Sequence, residues 1–395
     1  MISVTEAHAR LMALFEPLGP EDVAVDAAAG RVLAYDLRAN RTQPPFPSSA
    51  MDGYALRSIE GRAGAAFEVV GEAAAGRRYP KPVKPREAVR IFTGAPVPDG
   101  ADTVVIQENT HAADGRVTLT EDAVIGAHIR PAGIDFKKGD PLRAPRRLSS
   151  ADVALIGAMN VAHVPVMRKP IVALIATGNE LVYPGETPRP DQIVASNHLG
   201  LKAMLSARGV DVRVLPIARD NAESLAASFA CASDADAIIT IGGASVGDYD
   251  LVQSTALSEG LDLGFYKIAM RPGKPLMAGK LRGIPLVGLP GNPVSAHVCA
   301  QVLLLPAIDR MLGLPSALAQ THPARLKGTL GKNGQRQHYL RAKVEVGLDG
   351  WLCTSFDQQD SSLLSVLSNA NALLVRPPHD PPKEDGSKVE ILWLS

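Results

Sequence analysis

The fold class this sequence predicts is α/β and multidomain, with a central parallel-sheet unit between an N-terminal helical and β part and a small C-terminal β-barrel. Three observations predict it. The chain has 395 residues, beyond the ~250 to 300 at which a single core stops growing. From Lys169 to about Pro315, apolar strands alternate with helical runs, which is the pattern of βαβ units. On both sides of that stretch, short β-like runs are broken by Gly and Pro.

In chain order, Ser3 and Glu6 have capping-box spacing, and Leu11, Leu14, Phe15 and Leu18 recur with helical period before Gly19-Pro20. An amphipathic helix is expected there, and a second helical stretch from about Asp26. QPPFPSSAMDGYAL follows, an extended arm that its prolines keep on the surface or between domains. FEVV, AVRIF, DTVVIQ and RVTLT, between Ala55 and Arg143, predict a small β domain, and LSSADVALIGAM predicts a capped helix. IVALIA, VRVLPIA, DAIITI and PLVGL are the strands of the α/β unit, with helices starting near Ser196, Asp220, Asp250 and Pro293. HYLRAKVEV, ANALLVRP and VEILWL close the chain as a small barrel or sandwich. The expected domains are residues 1–50 with 141–168, 51–140, 169–315 and 316–395.

Lys plus Arg equals Asp plus Glu at 41 each, so no broad field draws in nucleic acid or anionic lipid, and any anion site is local. No stretch approaches 18 uninterrupted apolar residues and the N-terminus is charged, so neither a membrane span nor a leader is expected. Cytoplasm is the expected location. Cys231, Cys299 and Cys353 are expected as buried free thiols, and the nine histidines have no metal-ligand spacing.

Ligands of an open parallel sheet bind at the carboxyl ends of its strands. There GGASVG supplies Gly242, Gly243 and Gly247, whose backbone N–H groups can close on phosphate oxygens, with Ser245 adding a hydroxyl. A plain tight turn is the alternative. GLPGNPVSAH repeats the arrangement, with Pro290 and Pro293 stiffening the loop, Gly291 allowing close approach, and Asn292 and Ser295 beside them as substrate-binding candidates. Neither loop is a Walker A sequence or a GxGxxG fingerprint, which disfavours an ordinary ATPase or dinucleotide dehydrogenase.

Glu180, Asp220 and Asp250 also fall on strand-end loops. Asp220 could equally cap a helix. Carboxylates beside a phosphate site repel the ligand unless a cation lies between, so Glu180 and Asp250 suggest Mg2+. In FYKIAMRPGKP, strand alternation places Lys267 and Arg271 on one face and the Pro272-Gly273 turn presents Lys274, a trio suited to an oxyanion unless it is only solvated charge.

PPFPSSAMDGYA, IFTGAPVPDGAD, RPAGIDFKKGD, ATGNEL, IGGASVGDYD, MRPGKP and GLPGNPVSA, in this order, resemble the molybdopterin molybdenumtransferases, the MoeA-type proteins related to gephyrin E domains. The resemblance implies four domains, a homodimer, and magnesium-assisted insertion of molybdate into adenylylated molybdopterin with release of AMP. It implies functional acids at Asp52, Asp135, Glu180, Asp220 and Asp250, a threonine at Thr93, loop prolines at Pro290 and Pro293, and cations at Lys267 and Arg271. The family often has Lys where this chain has Arg271. Arg341 and Ser361 or Ser362 resemble residues proposed to hold molybdate. Further proteins of molybdenum cofactor synthesis are expected partners. A molybdopterin adenylyltransferase and a non-catalytic pterin-binding scaffold are the alternatives, the first resembling only the α/β unit and the second lacking a need for all five carboxylates.

Overall fold

The computed structural model describes residues 1–243, 251–347 and 350–394. Its α/β unit carries the strands Asp211–Val214, Ile171–Ala176, Ala237–Ile241 and Ile284–Leu289, side by side and parallel. Ala237–Ile241 is buried along its whole length, as a strand covered on both faces must be. Two strands that periodicity did not reveal, Met277–Leu281 and Leu261–Tyr266, extend the sheet antiparallel. Arg282 and Gly283, at φ 51° and 87°, supply the two positive φ values of a two-residue hairpin between Met277–Leu281 and Ile284–Leu289. Arg-Gly is a weaker hairpin signal than Asn-Gly.

The helices Asn197–Ala207, Ala222–Cys231, Leu251–Ser258 and Pro293–Cys299 cover the sheet. The last runs on through a π turn into Leu305–Met311. Helix Val4–Met12 starts where expected, with Ser3 Oγ accepting from the Glu6 N–H at 3.1 Å. Its buried face, with Val4, Ala7, Leu11 and then Phe15, joins the same apolar core as Leu304 and Ile308. The opening helix therefore packs on the α/β unit.

The rest of the N-terminal region makes two larger sheets and two two-stranded ribbons. Pro20–Ala24, His163–Met167, Val32–Leu33 and Arg146–Arg147 form one, beside helix Ser150–Ala158, whose Ser149 and Asp152 complete a reciprocal capping box. The second helix expected from Asp26 is a single 3-10 turn, Val25–Ala27, with Gly30 at φ 75° closing the segment. The six-stranded β unit has the order Thr103–Ile106, Gly53–Leu56, Glu87–Ile91, Ala66–Ala73, Arg116–Leu119, Thr110–Ala113. The proline arm is not free: Ser48–Ser49 pairs with Ile129–Arg130, and Gly53–Leu56 is an interior strand.

At the C-terminus, Gln337–Gly347 pairs with both Gly350–Ser355 and Ala372–Arg376, and Lys388–Trp393 and His322–Leu326 complete a closed five-stranded barrel. Met270–Arg271, from the α/β unit, adds to this sheet as a parallel neighbour of Gln337–His338. Two expectations fail here. The even alternation through FYKIAMR breaks because the strand stops at Tyr266 and Lys267 sits at φ 64°, so Lys267 and Arg271 do not belong to one strand face. Cys231 is exposed on its helix, while Cys299 and Cys353 are buried, the Cys299 thiol pushed far up by desolvation.

Candidate active site

A crevice of about 820 Å³ opens at the carboxyl ends of the parallel strands. Thr177, Gly178 and Glu180 reach it from the first strand end, Asp220 from the second, Gly242 and Gly243 from the third, and Pro290, Gly291, Asn292, Pro293 and Ser295 from the last. Both glycine loops come together there. A Cβ on Gly291 would stand 3.4 Å from Gly242 Cα, and one on Gly242 would stand 2.7 Å from the Thr177 carbonyl oxygen. Gly242 and Gly243 adopt φ 95° and 68°, which side-chain-bearing residues rarely take.

Asp220 is not the cap of the following helix; Asn221 is, its side chain accepting from the Ser224 N–H at 2.8 Å. Asp220 instead accepts from the Asn179 N–H at 3.1 Å, while Asn179 Oδ1 accepts from the Asp220 N–H at 3.1 Å. This reciprocal pair fixes the loop that presents Glu180. Ser245, Gly247 and Asp250 lie outside the described residues. Among the described residues no group of three or more His, Cys, Asp or Glu gathers as a metal site. Glu180 and Asp220 nevertheless face one crevice, and carboxylate oxygens beside a phosphate ligand suit a hard cation such as Mg2+.

Pro275 and Ser295 also line a second pocket of about 560 Å³ between the α/β unit and the barrel, so the two cavities adjoin. Arg271, Lys274 and Arg336 bring positive charge to it, and Asp357, Gln359, Asp360 and Ser361 also line it. Gly273, at φ 112°, makes the turn that presents Lys274; a Cβ there would run into Cys299 Sγ. Ser361 ties barrel to crevice, its hydroxyl accepting from Asn292 Nδ2 at 3.0 Å and its carbonyl from the Val294 N–H at 3.0 Å.

Behind this wall Arg341 is wholly buried; Nη2 donates to the Asp360 carbonyl at 2.8 Å, whereas Nε and Nη1 have no partner among the described residues. Burial lowers its pKa, Asp360 opposes that, and Arg271 adds to it. His338 is held at about 4, first by burial and then by Arg271, Arg341, Arg376 and Arg336, so it is neutral near pH 7. Lys267 lines neither cavity and lies 4.6 Å over the Tyr266 ring.

Asp52, Thr93 and Asp135 lie in the N-terminal β region and line neither cavity. Asp52 Oδ1 accepts from both the N–H and the hydroxyl of Thr93 at 2.7 Å, and these bonds, the backbone one foremost, lower its pKa. Asp135 is exposed. The sequence reading missed Asn197 and His198 in the crevice and Arg336 and Asp360 in the second pocket. Asn197 and His198 follow the strand-end motif by more than a dozen residues, and the barrel residues enter only through a domain contact that no local pattern encodes.

A sheet that gathers glycines and carboxylates at its strand ends, joined to a pocket lined by Arg271, Lys274 and Arg336 under a barrel, defines the class as a multidomain α/β enzyme. The chain belongs to the molybdopterin molybdenumtransferase family. It matches the MoeA N-terminal region (domain I and II) over residues 2–159, a probable molybdopterin binding domain over 173–310 and the MoeA C-terminal region (domain IV) over 323–394. It is 33% identical to the molybdopterin molybdenumtransferase of Haemophilus influenzae, over 95% of this chain and 94% of that protein. With molybdopterin molybdenumtransferase 2 of Mycobacterium tuberculosis it shares 35% identity across 100% of both chains. The crystal structure of a molybdopterin biosynthesis MoeA protein from Pyrococcus horikosii superposes with a TM-score of 0.83 at 29% identity, covering 100% of this chain and 99% of that one.

Proposed function

We propose that this protein inserts molybdate into adenylylated molybdopterin and releases AMP. The observation that carries the reading is the junction of the two cavities at Pro275 and Ser295: a loop-lined crevice for a phosphoanhydride meets a cationic pocket for a small oxyanion. Gly242, Gly243 and Gly291 let backbone approach the phosphates, and Asn292 and Ser295 add polar contacts. Arg271 and Lys274 neutralise the molybdate dianion beside the dithiolene sulfurs, with Arg341 and Ser361 completing its surroundings. Lys267 supports this pocket only through the field of the edge.

Mg2+, held by Glu180 with Asp250, would neutralise charge on the phosphoanhydride as AMP departs. Asp220 positions the Glu180 loop. The active protein is a homodimer with shared sites, in which Asp52, Thr93 and Asp135 of one chain complete the crevice of the other. It works in the cytoplasm alongside other proteins of molybdenum cofactor synthesis. The adenylyltransferase reading has no observation in its favour, because the family match runs through the N-terminal and C-terminal regions as well as the α/β unit, and the full-length relatives named as transferases favour an enzyme over a scaffold.

The test is incubation with adenylylated molybdopterin, molybdate and Mg2+, following AMP. Release that depends on molybdate is expected; release indifferent to molybdate, or ATP consumption with bare molybdopterin, would sink the reading.

A further inference from the structure

Among the described residues, two of those lining the crevice carry a buried polar atom without a partner, Asn197 Oδ1 and His198 Nδ1. His198 is 4% exposed, and burial lowers its pKa, so its imidazole is neutral near pH 7. The Asn197 amide cannot be turned round to relieve its oxygen. Its Nδ2 donates to the Gly291 carbonyl at 2.7 Å, and a carbonyl only accepts, so the amide oxygen must face the other way. A buried acceptor without a donor is costly. Leu181, Ile193, Val194 and Leu251 give the same crevice an apolar lining.

Phosphate cannot satisfy this corner, because its ionised oxygens carry no hydrogen for Asn197 Oδ1. A flat ring with apolar faces and an N–H on its polar edge can, and a neutral imidazole nitrogen either donates or accepts according to its tautomer. We infer that this end of the crevice seats a heterocycle of the substrate, with Asn197 Oδ1 accepting from its exocyclic amine or ring N–H and His198 Nδ1 pairing with the adjacent edge atom. The inference rests on the reading of the substrate as an adenylylated pterin, in which adenine and pterin both offer that edge.

The test titrates AMP, 6-(hydroxymethyl)pterin and inorganic pyrophosphate separately into the wild type and into Asn197→Leu, Asn197→Asp, His198→Phe and His198→Asn, with circular dichroism checking each fold. Asn197→Leu and His198→Phe should weaken at least one heterocycle about tenfold, the size of one lost buried hydrogen bond, and leave pyrophosphate unchanged. Asn197→Asp keeps the acceptor while losing the Gly291 bond, and His198→Asn keeps a polar atom near Nδ1, so both should retain heterocycle binding. Which of AMP and the pterin responds identifies the ring. Unchanged heterocycle affinity in Asn197→Leu and His198→Phe, equal loss of all three probes, or no heterocycle binding by the wild type overturns the inference. Molybdate-dependent AMP release by the wild type, measured alongside, separates failure of the seat from failure of the overall reading.

Discussion

Burial and four guanidinium groups hold His338 at about 4, against an unfolded value near 6.5. The sign follows from proton counting. Between those values the unfolded chain binds more protons than the folded one, so stability is present above pH ~6.5 and is lost as pH falls toward 4, by about 3 kcal/mol at most. His338→Gln is expected to flatten the urea midpoint over that window; an unchanged slope would mean the histidine protonates freely in the folded state. At the pocket itself, Lys274→Ala should raise the molybdate requirement of AMP release without weakening AMP binding, since a lost charge-assisted contact costs ~1.5 to 3 kcal/mol of affinity for the anion that made it. Lys267→Ala should do much less, because Lys267 lines neither cavity. Residue placement was partly legible: strand-end position leads to Glu180, Asp220, Gly242 and Gly291, which the structure gathers in one crevice. It could not separate Asp220 from Asn221 as the cap, because adjacent Asx residues read alike until the backbone is known.

At the scale of elements, Gly273 connects turn geometry to the pocket lined by Arg271 and Lys274. Gly273→Ala forces a side chain into φ 112° and against Cys299 Sγ, so the Lys274 turn must shift. Thermal denaturation should show a loss of about 1 to 3 kcal/mol together with a raised molybdate requirement. A stability loss with normal molybdate dependence would detach the turn from anion binding. Far from the site, Ser149→Ala removes one arm of the capping box at Ser150–Ala158 and should cost about 1 kcal/mol with turnover intact, by denaturation and AMP assay. That cap was legible because its chemistry is local. The antiparallel pair Leu261–Tyr266 and Met277–Leu281 was not, since Arg-Gly carries little turn signal, Leu261–Tyr266 is a half-exposed edge strand without an apolar run, and the buried Met277–Leu281 is interrupted by Gly279 and Lys280.

For the whole molecule, the arm is integrated into the β unit, so in the proposed homodimer the entire unit rather than a loose segment would reach the partner. Asp52→Ala and Asp250→Ala chains should each be inactive, yet refolded together they should recover about a quarter of wild-type activity, since half the dimers are mixed and carry one intact site of two. Differential tags confirm exchange; no recovery despite exchange would place both residues in a single-chain site. Domain order was legible from changes in period, but the joint between barrel and α/β unit was not, because Met270–Arg271 is too short to read as a strand before its partner Gln337–His338 is known.

The packing of Val4–Met12 against Leu305–Met311 also sets a schedule for biosynthesis. The helix leaves the ribosome about 290 residues ahead of the surface that receives it, so at roughly 5 to 20 residues per second its apolar stripe waits on the order of 15 to 60 seconds uncovered. The N-terminal sheets are translated in that interval, and the earliest helix is among the last to dock. Until then Leu11 and Phe15 are the apolar groups that a holdase acting on nascent chains would meet.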